Sequence, residues 1–178
     1  MKAKYDYLIV GAGPAGMFAA LELSKLRKNK KILLIDIGEK IENRKPSQVM
    51  CGIGGAGTFS DGKMHFSPTL SHEKAFHLIS INDYQVILDY VDEVLTGYGV
   101  DSEYFPKDSI EVQKLVEEAQ KNDIYLVPRR IRHVGTDKLK KVMRRFQNDL
   151  EKNKVEILPN TEVIDLIIEN NSCIGVIT

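Results

Sequence analysis

Tyr5–Val10 is a short apolar run rich in β-forming side chains that stops at Gly11, the pattern of a strand buried within a sheet. A helix is predicted at once. Pro14 suits the first helical position, where its missing N–H is no loss, and Ala15, Phe18, Ala19, Leu23 and Leu26 supply the expected buried side. Lys25, Arg27 and Lys28 stand at its end, where positive charge complements the helix dipole. Lys31–Ile35 is a second apolar run ending in Asp36, hence a second, parallel strand. Strand, helix and strand make a βαβ unit with a right-handed crossover.

The pattern then breaks. Residues 38–72 hold glycine at 38, 52, 54, 55, 57 and 62 with little periodicity, and a long loop inside a folded domain is usually functional. Helical spacing returns from Asn82 through Tyr84, Ile87, Leu88, Val91, Val94 and Leu95, with Gly97 as the expected stop. A second helix is predicted from Ser109 through Val112, Leu115, Val116 and Ala119, and Ile124–Val127 reads as a short strand. Thr136 caps a helix whose inner face is Leu139, Val142, Met143, Phe146 and Leu150. Val155–Leu158, Glu162–Glu169 and Ile174–Thr178 read as strands, the last two a hairpin about Asn170, Asn171 and Ser172. The expected fold class is α/β: a Rossmann-like βαβ unit with a parallel sheet, a mainly helical insertion over 73–133 and a C-terminal hairpin, all within one domain over 1–178.

Composition narrows the function classes. At 178 residues, 43% hydrophobic and 28% charged, the chain is that of an ordinary folded domain. Lys+Arg and Asp+Glu both total 25, so no global charge draws it to nucleic acid or an anionic membrane. Two cysteines, Cys51 and Cys173, are too few for a disulfide scaffold, and no run of about 20 apolar residues could span a bilayer. A soluble cytoplasmic protein without a metal site is expected.

Gly11-Ala12-Gly13-Pro14-Ala15-Gly16 is a GxGxxG placed between a predicted strand and a predicted helix. In that place Gly11 permits a tight turn, Gly13 lets a pyrophosphate approach the backbone, and Gly16 lets the helix pack on the strand. The helix start offers free N–H groups to an anion. Asp36, 20 residues after Gly16, stands where a carboxylate accepts hydrogen bonds from ribose hydroxyls and repels a 2′-phosphate. A dinucleotide site of the FAD or NAD type follows. Downstream, the loop Cys51-Gly52-Ile53-Gly54-Gly55-Ala56-Gly57-Thr58-Phe59-Ser60-Asp61-Gly62-Lys63 has too many glycines for a helix or strand and suits close backbone approach to a flat or extended ligand.

GAGPAGMFAALEL, the loop CGIGGAGTFSDGK and Arg132-His133-Val134-Gly135-Thr136-Asp137 together resemble a family of bacterial FAD-dependent dehydrogenases within the glutathione-reductase-like flavoproteins. The resemblance runs in order over essentially the whole chain. It implies bound FAD, with Gly11, Gly13, Pro14, Ala15 and Gly16 at the pyrophosphate, Asp36 at the ribose, Gly54, Gly55, Ala56 and Gly57 toward the flavin, and Val163 meeting the adenine. NAD(P)H is the electron donor such a protein would use. Two departures stand out: that family carries more cysteines ahead of the glycine-rich loop, and its members continue well beyond the predicted hairpin. The doubly wound domain is therefore expected to be incomplete, with one edge of strand 5–10 bare. That edge is expected to pair with another chain, to recruit residues 174–178, or to leave FAD weakly held.

Catalytic residues are not fixed by the sequence, and Cys51, Lys63 and His133 are the candidates. His65, His72, His77 and His133 do not form a metal-ligand spacing. Residues 128–145 carry Arg129, Arg130, Arg132, Lys138, Lys140, Lys141, Arg144 and Arg145 against Asp137 alone, a local net charge of +7. The leading function is the FAD-binding part of a flavin-dependent oxidoreductase of undefined substrate. The alternatives are a noncatalytic dinucleotide-binding module or assembly partner, and a nucleic-acid-associated protein using the basic segment.

Overall fold

A computed structural model describes residues 4–68 and 77–178. In chain order its elements are β1 (Tyr7–Val10), α1 (Pro14–Leu26), β2 (Ile32–Ile35), β3 (Lys63–His65), α2 (Ile81–Gly97), β4 (Tyr104–Phe105), α3 (Ser109–Gln120), β5 (Ile131–His133), α4 (Thr136–Lys152), β6 (Val155–Leu158), β7 (Asp165–Glu169) and β8 (Ser172–Ile177). The chain divides into two units, Met1–Phe59 with Lys140–Thr178, and Ser60–Leu139. His72 and the first residues of the expected 73–133 insertion lie outside the described residues.

The first unit carries the predicted βαβ. Its sheet is parallel in the order β1-β2-β6, with Tyr7 opposite Ile32 and Ile32 opposite Val155. All four residues of β2 are buried, as its unbroken apolar sequence requires of a strand flanked on both sides. Among the described residues β1 pairs with β2 alone, and Val10 at its end is 54% exposed. α1 turns Met17, Ala20, Leu21 and Ser24 inward, not the expected face of Ala15, Phe18, Ala19, Leu23 and Leu26. The cause is composition: residues 17–21 are apolar almost all round the helix, so spacing alone does not select a face. α4 does follow its pattern, burying Val142, Met143, Phe146 and Leu150, and Phe146 meets Phe18 edge-on at 5.2 Å between ring centroids.

The expected C-terminal hairpin is formed by β7 and β8, beginning at Asp165 rather than Glu162. Asn170 and Asn171 both have positive φ (48° and 61°), the two-residue turn whose twist matches paired strands. β8 pairs with β7 and not with β1, so the expected recruitment of residues 174–178 to the bare edge does not occur.

The second unit contains an antiparallel sheet in the order β3-β5-β4. Its centre is Arg132 on β5. That guanidinium pairs with Asp92 at 2.6 Å and donates to the Thr96 hydroxyl, the Ser102 carbonyl and the Val100 carbonyl. Tyr104 donates its hydroxyl to Asp92, and its ring lies edge-on to buried Phe66. α2 starts under the Ser80 cap, whose hydroxyl accepts from the Asp83 N–H, and it ends at Gly97, the expected stop, with the left-handed Gly99 (φ 109°) just beyond it. Ile124–Val127 is not a strand: its side chains are exposed and no partner strand lies beside it among the described residues. The strand of that region is β5, a few residues later.

Candidate functional site

The site is built where β1 and β2 end. Gly11 (φ 95°) turns the chain out of β1, and α1 begins after Gly13 with Pro14 in its first turn. No side chain caps this helix start and no acidic residue occupies its first turn. Its N–H groups therefore remain available to an external anion. Gly16 permits the close approach: a Cβ there would lie 1.9 Å from the Gly11 carbonyl oxygen.

The glycine-rich loop folds back onto this turn. The Gly54 N–H donates to the Ala12 carbonyl at 2.8 Å, and a Cβ on Gly55 would meet Pro14 Cδ at 3.0 Å and Gly13 Cα at 3.1 Å. Two glycine-rich segments separated by some 40 residues thus touch backbone to backbone, which side chains on either would prevent. Ala56 and Gly57 open the short 3-10 turn Ala56–Phe59 that follows.

Asp36 joins the segments. It is buried, and its Oδ2 accepts from the Ala12 N–H at 2.7 Å while Oδ1 accepts from Gly38 at 2.8 Å and Gly52 at 2.7 Å. A carboxylate has about four acceptor positions, so Oδ2 retains one beyond these three bonds. The Asp36 carbonyl accepts from the Thr161 N–H at 2.9 Å, which brings the segment leading to half-buried Val163 toward the same strand ends. Asn160 secures that segment, its N–H donating to the Gly38 carbonyl and its side-chain amide to Glu39 at 2.8 Å. The Asn160 hydrogen bond, with that of the Lys40 N–H, holds the Glu39 carboxyl below the usual carboxylate range.

Arg44 carried no signal in the sequence, yet it is buried and makes four hydrogen bonds. It is 4% exposed, and Nη1 donates to the carbonyls of Ile53 and Gly55 at 2.8 Å each. Nη2 donates to those of Gln48 at 2.8 Å and Val49 at 3.1 Å. The guanidinium lies over the Phe59 ring, 4.7 Å from its centroid. Burial pushes its pKa down, and the nearby Cys51 and Asp36 oppose that shift. Arg44 Nε and Thr58 Oγ1 are buried and have no hydrogen-bond partner among the described residues.

The catalytic candidates are divided between the units. Cys51 is a half-buried free thiol next to Gly52 in the first unit. Lys63 and His133 are in the second, where Lys63 pairs with Asp61 at 2.9 Å and His133 Nε2 lies 3.0 Å from the Asp61 carbonyl oxygen. The Lys63 hydrogen bond holds the Asp61 carboxyl below its ordinary value. The basic segment is not one continuous face: Arg132 is buried against Asp92, Arg130 stacks 3.9 Å from the Tyr104 centroid and pairs with Asp89, and Lys138 pairs with Asp101. No helix among the described residues is long and apolar enough to cross a membrane.

Comparison with known proteins places this arrangement. The family described as "FAD binding domain" matches residues 6–178. A protein of Clostridium beijerinckii is 39% identical over 71 residues, covering 32% of this chain and 13% of that protein. Among solved structures, glycine oxidase from Bacillus cereus aligns with TM-score 0.52 at 18% identity, over 97% of this chain and 52% of the other. L-amino acid deaminase from Proteus vulgaris aligns with TM-score 0.51 at 15% identity, over 99% and 46%. A flavocytochrome c3 fumarate reductase gives TM-score 0.58 at 15% identity, over 97% and 29%. These likenesses show the fold, and the chain spans about half or less of each of those proteins.

Proposed function

This chain belongs to the FAD binding domain family, and we propose that it holds FAD against the start of α1 as the cofactor-binding part of a flavin-dependent dehydrogenase. The observation that carries the reading is the contact of the two glycine-rich segments, Gly54 on Ala12 and Gly55 on Gly13 and Pro14, beside an uncapped helix start. The residues present fit the cofactor. In this reading Gly11, Gly13, Pro14, Ala15 and Gly16 hold the pyrophosphate through backbone N–H groups and the helix dipole. Asp36 offers its remaining acceptor position to a ribose hydroxyl, Gly54, Gly55, Ala56 and Gly57 lie along the flavin side, and backbone groups of Val163 meet the adenine. When bound, FAD supplies the two-electron chemistry, and the chain supplies binding, orientation and exclusion of water.

NAD(P)H is the proposed electron donor to the bound FAD, and as an occupant of the Asp36 pocket itself a nucleotide with a 2′-phosphate is disfavoured, because the carboxylate repels it. The setting proposed is the cytoplasm, where Cys51 and Cys173 stay as the free thiols they are here. We further propose that the outer edge of β1 takes a strand from another polypeptide or a second copy, since its unpaired backbone groups have no partner strand among the described residues. Sedimentation tests this, and a monomer with stoichiometric, tightly held FAD would remove it.

The direct test of the cofactor reading is the absorbance spectrum of purified protein, followed by chromatography of the chromophore released on denaturation. A yellow protein releasing FAD is the expected outcome. Titration of the apoprotein should give saturable binding that Gly13→Val abolishes. A colourless protein with no heat of FAD binding would end the proposal, and FAD bound without reduction by any donor would assign a noncatalytic binding module instead.

A further inference from the structure

The buried Arg44 guanidinium has no carboxylate partner among the described residues, and its four hydrogen bonds all run to main-chain carbonyls of residues 48–55. A buried cation with no carboxylate in direct contact is costly, and four carbonyl dipoles aimed at one planar group help to offset that cost beside the more distant charge of Asp36. The acceptors belong to the segment that enters and forms the glycine-rich loop. On the other side of the same segment, the Gly52 N–H is held by Asp36 and the Gly54 N–H by Ala12. The loop is therefore gripped from two directions: its carbonyls by a cation, its N–H groups by a carboxylate and the GxGxxG turn. Glycines make such a segment flexible, with entropy to lose on ordering, and the grip settles that loss during folding rather than during ligand capture.

We infer that Arg44 is a positioning residue for FAD: it fixes the 48–55 backbone in the shape that receives the cofactor, without itself being one of the proposed cofactor contacts. This rests on the FAD reading above. Lysine cannot substitute. Its three donors radiate from a single nitrogen, whereas two coplanar nitrogens of Arg44 each serve two carbonyls while the flat group packs on Phe59.

The experiment compares Arg44→Lys and Arg44→Met with Leu150→Ala, a core substitution in α4. FAD affinity is measured by fluorescence titration, and amide exchange of residues 48–56 is followed by mass spectrometry in the absence of FAD. The expected result is a loss of FAD affinity of about 30-fold in both Arg44 variants, with faster exchange confined to 48–56. Leu150→Ala should lower thermal stability while leaving FAD affinity within about 3-fold. In a third variant, Arg44→Ala, guanidinium ion added far below denaturing concentration should restore binding and ammonium should not; equal rescue by both ions would overturn the inference. Arg44→Lys that binds FAD as the unaltered chain does would overturn the inference, as would a Leu150→Ala loss equal to that of Arg44→Met. Should Arg44→Met fail to fold, Arg44→Lys and the rescue experiment still decide. Absence of FAD binding in the unaltered chain overturns the cofactor reading itself, a result separate from any comparison among variants.

Discussion

Leu34 and Leu115 are the same side chain in opposite surroundings. Leu34 is fully buried at the centre of β2, while Leu115 on α3 is 57% exposed. The contrast extends to their units. The first has a parallel sheet with an all-buried middle strand, and buried polar groups serve to clamp loops. In the second, α3 buries no residue at all, Tyr125 is 86% exposed, and the best-connected buried group is an ion pair, Arg132–Asp92. The first unit is held mainly by apolar area, whose stabilisation is non-directional; the second has a smaller apolar core, of Phe66, Leu95, Val100, Val134 and Leu139, and leans more on polar contacts whose loss is not shared out.

The largest effect should come from that ion pair. Asp92→Ala leaves Arg132 buried without its anion and is expected to cost about 3–5 kcal/mol in the stability of the second unit, read by region-resolved hydrogen exchange. Uniform acceleration of both units would dissolve the contrast. Next, Leu34→Ala should cost about 2–5 kcal/mol in denaturant unfolding. Leu115→Ala should stay within about 0.5 kcal/mol, and equal costs would show that α3 is covered in solution.

A smaller effect separates the units by pH. Burial, reinforced by the Asp92 hydrogen bond, pushes Tyr104 up to about 12. The folded state therefore keeps this proton when the unfolded chain has released it. The contribution to stability is complete below pH 10 and fades as pH rises from 10 toward 12. Alkaline titration should loosen the second unit over that range in the unaltered chain and not in Tyr104→Phe. The smallest change concerns the hairpin, where Asn171→Gly suits the positive φ of the turn and should stabilise by no more than about 0.5 kcal/mol.

How much of this was legible in the sequence follows from the range of the interactions. GxGxxG between a strand and a helix is a local signal, and the turn stands where the spacing put it. The inner face of α4 was readable because its polar and apolar residues alternate sharply, whereas the apolar girth of α1 hid which residues turn inward. β3, β4 and β5 are two or three residues long and pair across wide sequence gaps, Lys63 with His133 and Tyr104 with Arg132, so no short window of sequence contains both partners. Ile124–Val127 had the composition of a strand without a partner to pair with. Asp36 was legible by position, but its three N–H donors were not. Arg44 was invisible for the same reason: every group that holds it is a peptide carbonyl, which any residue supplies.

The uncovered rim of β1 also has a consequence for life in the cell. The peptide groups on the side of β1 away from β2 meet no strand among the described residues, and a strand exposed in that way is a template for pairing, so protein at high concentration should be prone to aggregation wherever that side stays open.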